Sequence, residues 1–145
     1  MDGDNPYAAP ATSLPSPAEV QARRIRLAAG LHLAGSGVGL VDEVWRQLGT
    51  GPGTIEIAGV VTAVLILAPF AVWIARRLLR RGPYARVFVI VMAALSIAGL
   101  FLPGDVPGWT DVPLILSGLL AIGAGVVLLL PGMAAAFRRP PAPVP

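Results

Sequence analysis

The sequence predicts an all-α membrane fold: an up-down four-helix transmembrane bundle between disordered, Pro-rich N- and C-terminal tails. Three observations carry this expectation. The composition suits lipid as solvent: 55% of the 145 residues are hydrophobic and 13% charged, against roughly 25% charged in a soluble domain, and mean hydropathy is +0.74. Four apolar runs are each near the ~20 residues that a helix needs to cross a ~30 Å hydrocarbon core. Ten of the eleven basic residues, all arginine, fall into three clusters separated by those runs. These are Arg23, Arg24 and Arg26; then Arg76, Arg77, Arg80, Arg81 and Arg86; then Arg138 and Arg139. Only Arg46 lies elsewhere, while Asp42, Glu43, Glu56, Asp105 and Asp111 sit in the remaining gaps. That alternation is the positive-inside pattern of a multi-pass cell-membrane protein with both termini cytoplasmic.

In chain order, residues 1–22 hold Pro6, Pro10, Pro15 and Pro17 among small and polar residues. Such a segment buries too little surface to offset chain entropy, and it reads as a disordered cytoplasmic tail. It has no apolar stretch to serve as a signal-peptide core, so the first helix is expected to act as an uncleaved signal anchor. Residues 23–139 read as the transmembrane domain, with spans at about 27–46, 55–75, 84–102 and 112–130. The second is the clearest: Thr54 can cap it, and Glu56 in its first turn complements the helix dipole. Pro69 inside it cannot donate to the Leu65 carbonyl and predicts a kink. Arg86 at the start of the third span can snorkel to the surface. Thr110 or Asp111 can cap the fourth, Pro113 is tolerated in its first turn, and Pro131-Gly132 ends it. The first span is the least apolar, with His32, Ser36, four glycines, and Asp42 and Glu43 near its exit. Arg46 is one turn from both acids and can pair with them. Only if this run crosses do all three arginine clusters share one side. Residues 140–145 form a second Pro-rich cytoplasmic tail. Trp45 and Trp109 fall at the outer boundary, and Trp73 and Tyr84 at the inner one, the depth that amphipathic rings favour. The connections Gln47–Thr54, Arg76–Pro83 and Pro103–Thr110 are short, which implies antiparallel neighbours.

Several function classes drop out. With no cysteine, disulfides, thiol catalysis and Cys-ligated metals are excluded. The pI near 10.6 does not indicate a nucleic-acid partner, because the arginines are few and flank apolar runs. No span carries an acidic or basic residue near mid-membrane, as an ion-coupled transporter usually requires. Asp42, Glu43 and Glu56 match no cation-binding loop and read as solvated.

Small residues recur at four-residue spacing: Gly35 and Gly39, extended by Gly30 and Ala34; Gly59 and Ala63; Ala94 and Ala98; Ser117, Ala121 and Gly125. Such faces let helix backbones approach closely. They read as packing inside one bundle, with a homodimer seam through Gly35 and Gly39 as the alternative. His32, the only histidine, reads as neutral and bonded to a neighbouring helix near the inner interface; a proton relay or ligand is the alternative. Ser36 lies one turn away, but Asp42, about 15 Å further along a straight helix, is too far to orient the imidazole. Arg76, Arg77, Arg80, Arg81 and Arg86 fix topology and are candidates for contact with anionic lipid.

Three pieces carry a resemblance: a Pro/Ala-rich tail ending in RRIRLAAGLHLAG, the segment RRGPYARVFVIVMAALSIAGL, and the ending VVLLLPGMAAAFRRP. Across residues 23–139 the chain resembles uncharacterised small four-transmembrane-helix membrane proteins of high-GC Gram-positive, actinobacterial type. These often carry an aromatic-Ala-Arg at the third-helix entry, here Tyr84, Ala85 and Arg86. The resemblance implies the four-span bundle and transfers no site residue. The expectation is therefore a non-enzymatic integral membrane protein without cofactor or metal, structural, regulatory or accessory in role. Its partners would be the lipid bilayer and a homo-oligomer or another membrane protein. The alternative is a subunit of an oligomeric small-solute transporter or channel.

Overall fold

The first helix begins inside the segment whose composition suggests a tail. Ser16 and Glu19 form a capping box: the Ser16 hydroxyl accepts the Glu19 N–H at 3.2 Å, and the Glu19 carboxylate accepts the Ser16 N–H at 2.7 Å. Pro17 takes the first helical position, where its missing N–H has no cost. The computed structural model describes residues 14–49, 54–101 and 112–138, and over them the protein is helical with no strand. The helices are α1 (Pro17–Gly49), α2 (Thr54–Leu79), α3 (Pro83–Phe101), α4 (Val112–Leu129) and α5 (Met133–Ala136). The reading of 1–22 as tail is therefore corrected for 17–22, because Pro15 and Pro17 punctuate a helix start. Residues 1–13, tail 140–145, Trp109, Asp105 and Asp111 lie outside the described residues.

The connection between α2 and α3 is shorter than 76–83. Arg76 and Arg77 stand in the last turns of α2, where cations complement the dipole. Only residues 80–82 link α2 to α3. The Arg81 N–H donates to the Leu78 carbonyl and the Gly82 N–H to the Arg77 carbonyl, both at 2.8 Å, with Arg81 left-handed at φ 57°. This is a Schellman cap. The end of α4 also differs from a simple stop. Gly132, at φ 83°, turns the chain into α5, so that Met133, Ala136 and Phe137 are buried against the other helices. The apolar periodicity does not announce α5, which is a single turn.

One core holds Ile25, Ala28 and Ala29 of α1, Ile74, Ala75 and Leu78 of α2, Ala85 and Val89 of α3, and Ala124 and Leu128 of α4. The starts of α1 and α3 thus meet the ends of α2 and α4, so the helices alternate in direction, as expected. α1 and α4 form the central pair; α2 packs on α1, α3 packs on α4, and α2 touches α3 only lightly. The core lies at the arginine-rich end. Toward the other end, Val60, Ala71 and Ala93 are the only further hydrophobics buried among the described residues.

Small residues set the close approaches. A Cβ on Gly35 would meet the Ser117 carbonyl oxygen at 3.1 Å and the Leu120 Cβ at 3.2 Å; one on Gly39 would lie 3.6 Å from the Ser117 Cβ. A Cβ on Gly125 would overlap that of Ala93 in α3. The Gly35–Gly39 face is thus filled by α4 of the same chain, the in-bundle reading. Gly30 and Gly59 face open space, and Ala94 and Ala98 are exposed.

Among the described residues, two helices are long and apolar enough to cross a hydrocarbon core: Ile57–Leu79 and Val112–Leu129, each of mean hydropathy 2.5. The apolar part of α3, Pro83–Gly99, is shorter, and α1 does not meet the same measure.

Two predictions follow from these contacts. Gly125→Ala should destabilise the bundle by about 1–3 kcal/mol through overpacking against Ala93, whereas Gly59→Ala, with no neighbour to strike, should not; thermal unfolding in mild detergent compares them. At the capping box, the Ser16 N–H and hydroxyl hold the Glu19 carboxyl below the usual carboxylate range. A lowered folded-state value means that its contribution is present above the ordinary carboxylate range and is lost as pH falls through the folded-state value. Amides of the first turn of α1, corrected for intrinsic rate, should therefore exchange faster at about pH 3 than at neutrality. Ser16→Ala should speed their exchange at both, having removed a cap of about 1 kcal/mol.

Candidate functional site

The arginine-rich end is where polar chemistry concentrates, and its arginines divide into two groups. The first is committed to backbone carbonyls at the end of α4. A helix leaves its last carbonyls without helical donors, and Pro131 has no N–H to offer. Arg86 donates from both Nε and Nη2 to the Leu128 carbonyl, each at 3.3 Å, and its guanidinium lies 5.8 Å from the centre of the Phe137 ring. Arg24 donates to the Pro131 carbonyl at 3.2 Å, and the Gln21 amide to the Gly132 carbonyl at 3.3 Å. The lipid-contact expectation is therefore corrected for Arg86: its guanidinium is half-buried in the bundle and serves α4.

The second group faces outward. Arg76, Arg77, Arg80 and Arg81 are exposed. Arg77 lies 5.4 Å from the centre of the Trp73 ring, one turn back on α2. After Glu56 the sequence has no acidic residue until Asp105, so neither α2 from residue 57 onward nor α3 supplies these four cations with a carboxylate. Between them α2 and α3 leave a groove of about 570 Å³, lined by Phe70, Trp73, Tyr84 and Phe88 and flanked by Arg77, Arg80 and Arg81.

Aromatic rings lead from this groove to His32. Trp73 stacks on Phe70 at 5.8 Å, Phe70 meets Phe88 edge-on at 5.3 Å, and Phe88 meets His32 edge-on at 6.4 Å. His32 is buried, and its Nε2 has no hydrogen-bond partner. The bond from His32 to a neighbouring helix that the sequence suggests does not stand at that nitrogen; the ring that His32 meets is that of apolar Phe88. Ser36 does not pair with it either, so the Ser–His couple needed for an activated hydroxyl is not assembled.

At the other end, the Asp42 carboxylate accepts from Arg46 Nε at 3.0 Å, as the spacing predicts, and Glu43 accepts from the Gln47 amide. Both acids lie inside α1, not in a loop. Among the described residues no three His, Asp or Glu side chains are grouped to hold a metal ion. Two clefts open in this half. One, of about 370 Å³, lies between α1 and α2 beside Ser36 and Leu67. The other, of about 310 Å³, lies among α1, α3 and α4 beside Ser36, Ser96 and Ser117. Ser96 donates to the Met92 carbonyl at 2.9 Å and Ser117 to the Leu114 carbonyl at 2.8 Å, so their protons are used within their own helices. Trp45, Trp73 and Tyr84 are all exposed.

Sequence spacing shows the Trp73–Arg77 pair, one turn apart. It does not show that Arg86 reaches α4 or that Gln21 and Arg24 reach the Pro131-Gly132 turn, because those contacts join residues far apart in the chain.

Arg86→Gln should cost about 1.5–3 kcal/mol, the range for a hydrogen bond to a charged group. Arg86→Lys should recover only part, since an ammonium cannot reproduce the paired guanidinium donors. Thermal unfolding of the three proteins in one detergent gives the comparison; no loss in the Gln variant would show that the α4 carbonyl does not need it.

Against this geometry, no protein-family profile, no curated protein and no solved structure matches the chain.

Proposed function

We propose that the chain is a multi-pass cell-membrane protein of four spans with both termini cytoplasmic, and that it acts without catalysis, as a structural, regulatory or accessory component through helix and partner contacts. We group it with the small four-helix membrane proteins of actinobacterial type that its sequence resembles. One observation carries the membrane reading. Only 17% of the residues in the apolar stretches of α2 and α4 are buried within the protein, so most of their apolar side chains keep surface that no other part of the chain covers. Leu65, Ile66, Leu95, Leu119 and Leu129 are all more than half exposed. Helices this apolar and this uncovered would associate or precipitate in water, whereas lipid solvates them.

The two less apolar helices fit the same solvent. Residues 27–41 of α1 carry no charge, a length of about 22 Å. α1 also packs between α2 and α4, so its polar and glycine-rich face need not meet lipid. The first turns of α1, with Glu19, Arg23 and Arg24, extend beyond that run into the headgroup region. α3 spans 19 residues, about 29 Å, close to the hydrocarbon thickness. Arg86 of α3, the three arginines in the first turns of α1 and the two in the last turns of α2 lie at one end, and only Arg46, paired with Asp42, lies at the other among the described arginines; that asymmetry supports the positive-inside orientation.

A non-catalytic role is supported by the site chemistry: His32 without a hydrogen-bond partner at Nε2, Ser96 and Ser117 bonded within their own helices, and arginines at the core end that either clasp α4 or face outward. Such a molecule offers surfaces rather than a reaction centre.

The test combines topology with partners. Reporter fusions at the two termini should both read cytoplasmic, and reporters in the 50–53 and 102–111 connections should both read external. Termini on opposite sides, or a purified chain that remains dispersed without detergent, overturns the four-span reading. Affinity capture from native membranes should recover a defined protein stoichiometrically. A chain that supports solute flux alone in liposomes would replace the accessory role with transport.

A further inference from the structure

We propose that the groove between α2 and α3 is a binding site for one anionic phospholipid of the inner leaflet, its phosphate held by Arg77, Arg80 and Arg81 and an acyl chain lying along Phe70, Trp73 and Phe88. The proposal rests on the membrane reading above and goes beyond it, since a membrane protein need not select any lipid.

Three features converge. First, α2 and α3 touch lightly although they are joined by only residues 80–82. The short link holds their inner ends together, and the gap between them stays open at about 570 Å³. Second, the groove is divided by polarity along its length. The rings of Phe70 and Phe88, its lining residues furthest from the turn on each helix, touch at 5.3 Å; the three arginines stand at the turn. A phospholipid has the same division between headgroup and chain. Third, the charge is unmatched. No acidic residue lines the groove. By contrast, the arginine-bearing cleft of about 560 Å³ between α1 and α4 contains Glu19. The Schellman cap fixes the Arg81 backbone at the turn, so the root of its side chain is placed without the ligand. Of the two other arginines of the cluster, Arg76 does not line the groove and Arg86 is diverted to the Leu128 carbonyl, which confines the site to residues on the groove side.

Trp73 lines the groove and reports on it. The Trp45→Phe, Trp109→Phe protein keeps Trp73 as its single tryptophan and is reconstituted in phosphatidylcholine vesicles. These contain a minor fraction of brominated phosphatidylglycerol or, in parallel, the same fraction of brominated phosphatidylcholine. The site predicts stronger quenching of Trp73 by the anionic lipid. Arg80→Gln with Arg81→Gln should reduce that preference by about fivefold per arginine. Arg76→Gln with Arg138→Gln removes the same charge from exposed positions outside the groove and should retain the preference. Equal quenching by the two lipids overturns the site, as does equal loss in the two double variants, which would mean diffuse attraction to the leaflet. Protection of Trp73 from both lipids also overturns it, because a protein helix would then cover the groove. If the chain fails to float with the vesicles at all, the membrane reading falls and the lipid site with it; flotation without selectivity removes the lipid site alone.

Discussion

In the lipid solvent proposed for this chain, the hydrophobic effect would not hold the bundle together. Lipid tails solvate a leucine as well as a neighbouring helix does, so association there depends on close packing and on polar groups that find partners. Both devices are visible. Gly35 brings α1 against the Ser117 carbonyl, and Gly125 brings α4 against Ala93. At the arginine-rich end, Arg86, Arg24 and Gln21 donate to three carbonyls between Leu128 and Gly132. The hydroxyls of Thr62, Ser96 and Ser117 turn back to their own helices, as hydroxyls with no water to bond would do. The core follows the same logic: it is rich in alanine and forms where helix ends are clasped, not along the full length of the bundle.

That constraint explains which parts were legible in the sequence. Three helices are read to within a few residues because long uncharged runs between arginine clusters leave little else for the chain to form. The errors sit where local chemistry overrides composition. Proline content marked residues 17–22 as tail, yet Ser16-Pro17-Ala18-Glu19 is a capping-box signature that the sequence did contain. Counting a hydrocarbon-spanning run alone leaves Arg76 and Arg77 in the connection, whereas cations in the last turn extend α2 by complementing its dipole. α5 has too few residues to show periodicity, and its burial depends on the turn at Gly132. For the site, the exposed arginines were legible as a cluster. That Arg86 belongs to α4 was not, since its acceptor lies 42 residues away.

The structure is uneven along the bundle axis. The arginine-rich end has the core, the clasped carbonyls and the capped turn. The other half has thin packing and two open clefts beside Ser36. Local opening is least costly where few contacts must break. Any partner helix that inserts into this protein, or any rearrangement within it, would therefore meet least resistance in the half away from the arginines. The exposed small residues there and on the flanks, including Gly59, Ala94 and Ala98, are surfaces on which a second helix can approach closely.

His32 lies between these two regimes. It follows Ala28 and Ala29 on the same face of α1 as the core, and it precedes Gly35, where α1 comes closest to α4. A buried imidazole with an unpartnered Nε2 is a cost that leucine at the same place would not carry. Its environment is apolar, so the neutral form is the one that the packing accommodates. The ring chain Trp73–Phe70–Phe88–His32 joins α2 through α3 to α1 where α2 and α3 otherwise barely touch. On this geometry the histidine contributes its flat face and edge to a helix contact. Its spare nitrogen is the one buried polar atom among the described side chains that a partner group, or a water admitted by opening of the half away from the arginines, would satisfy.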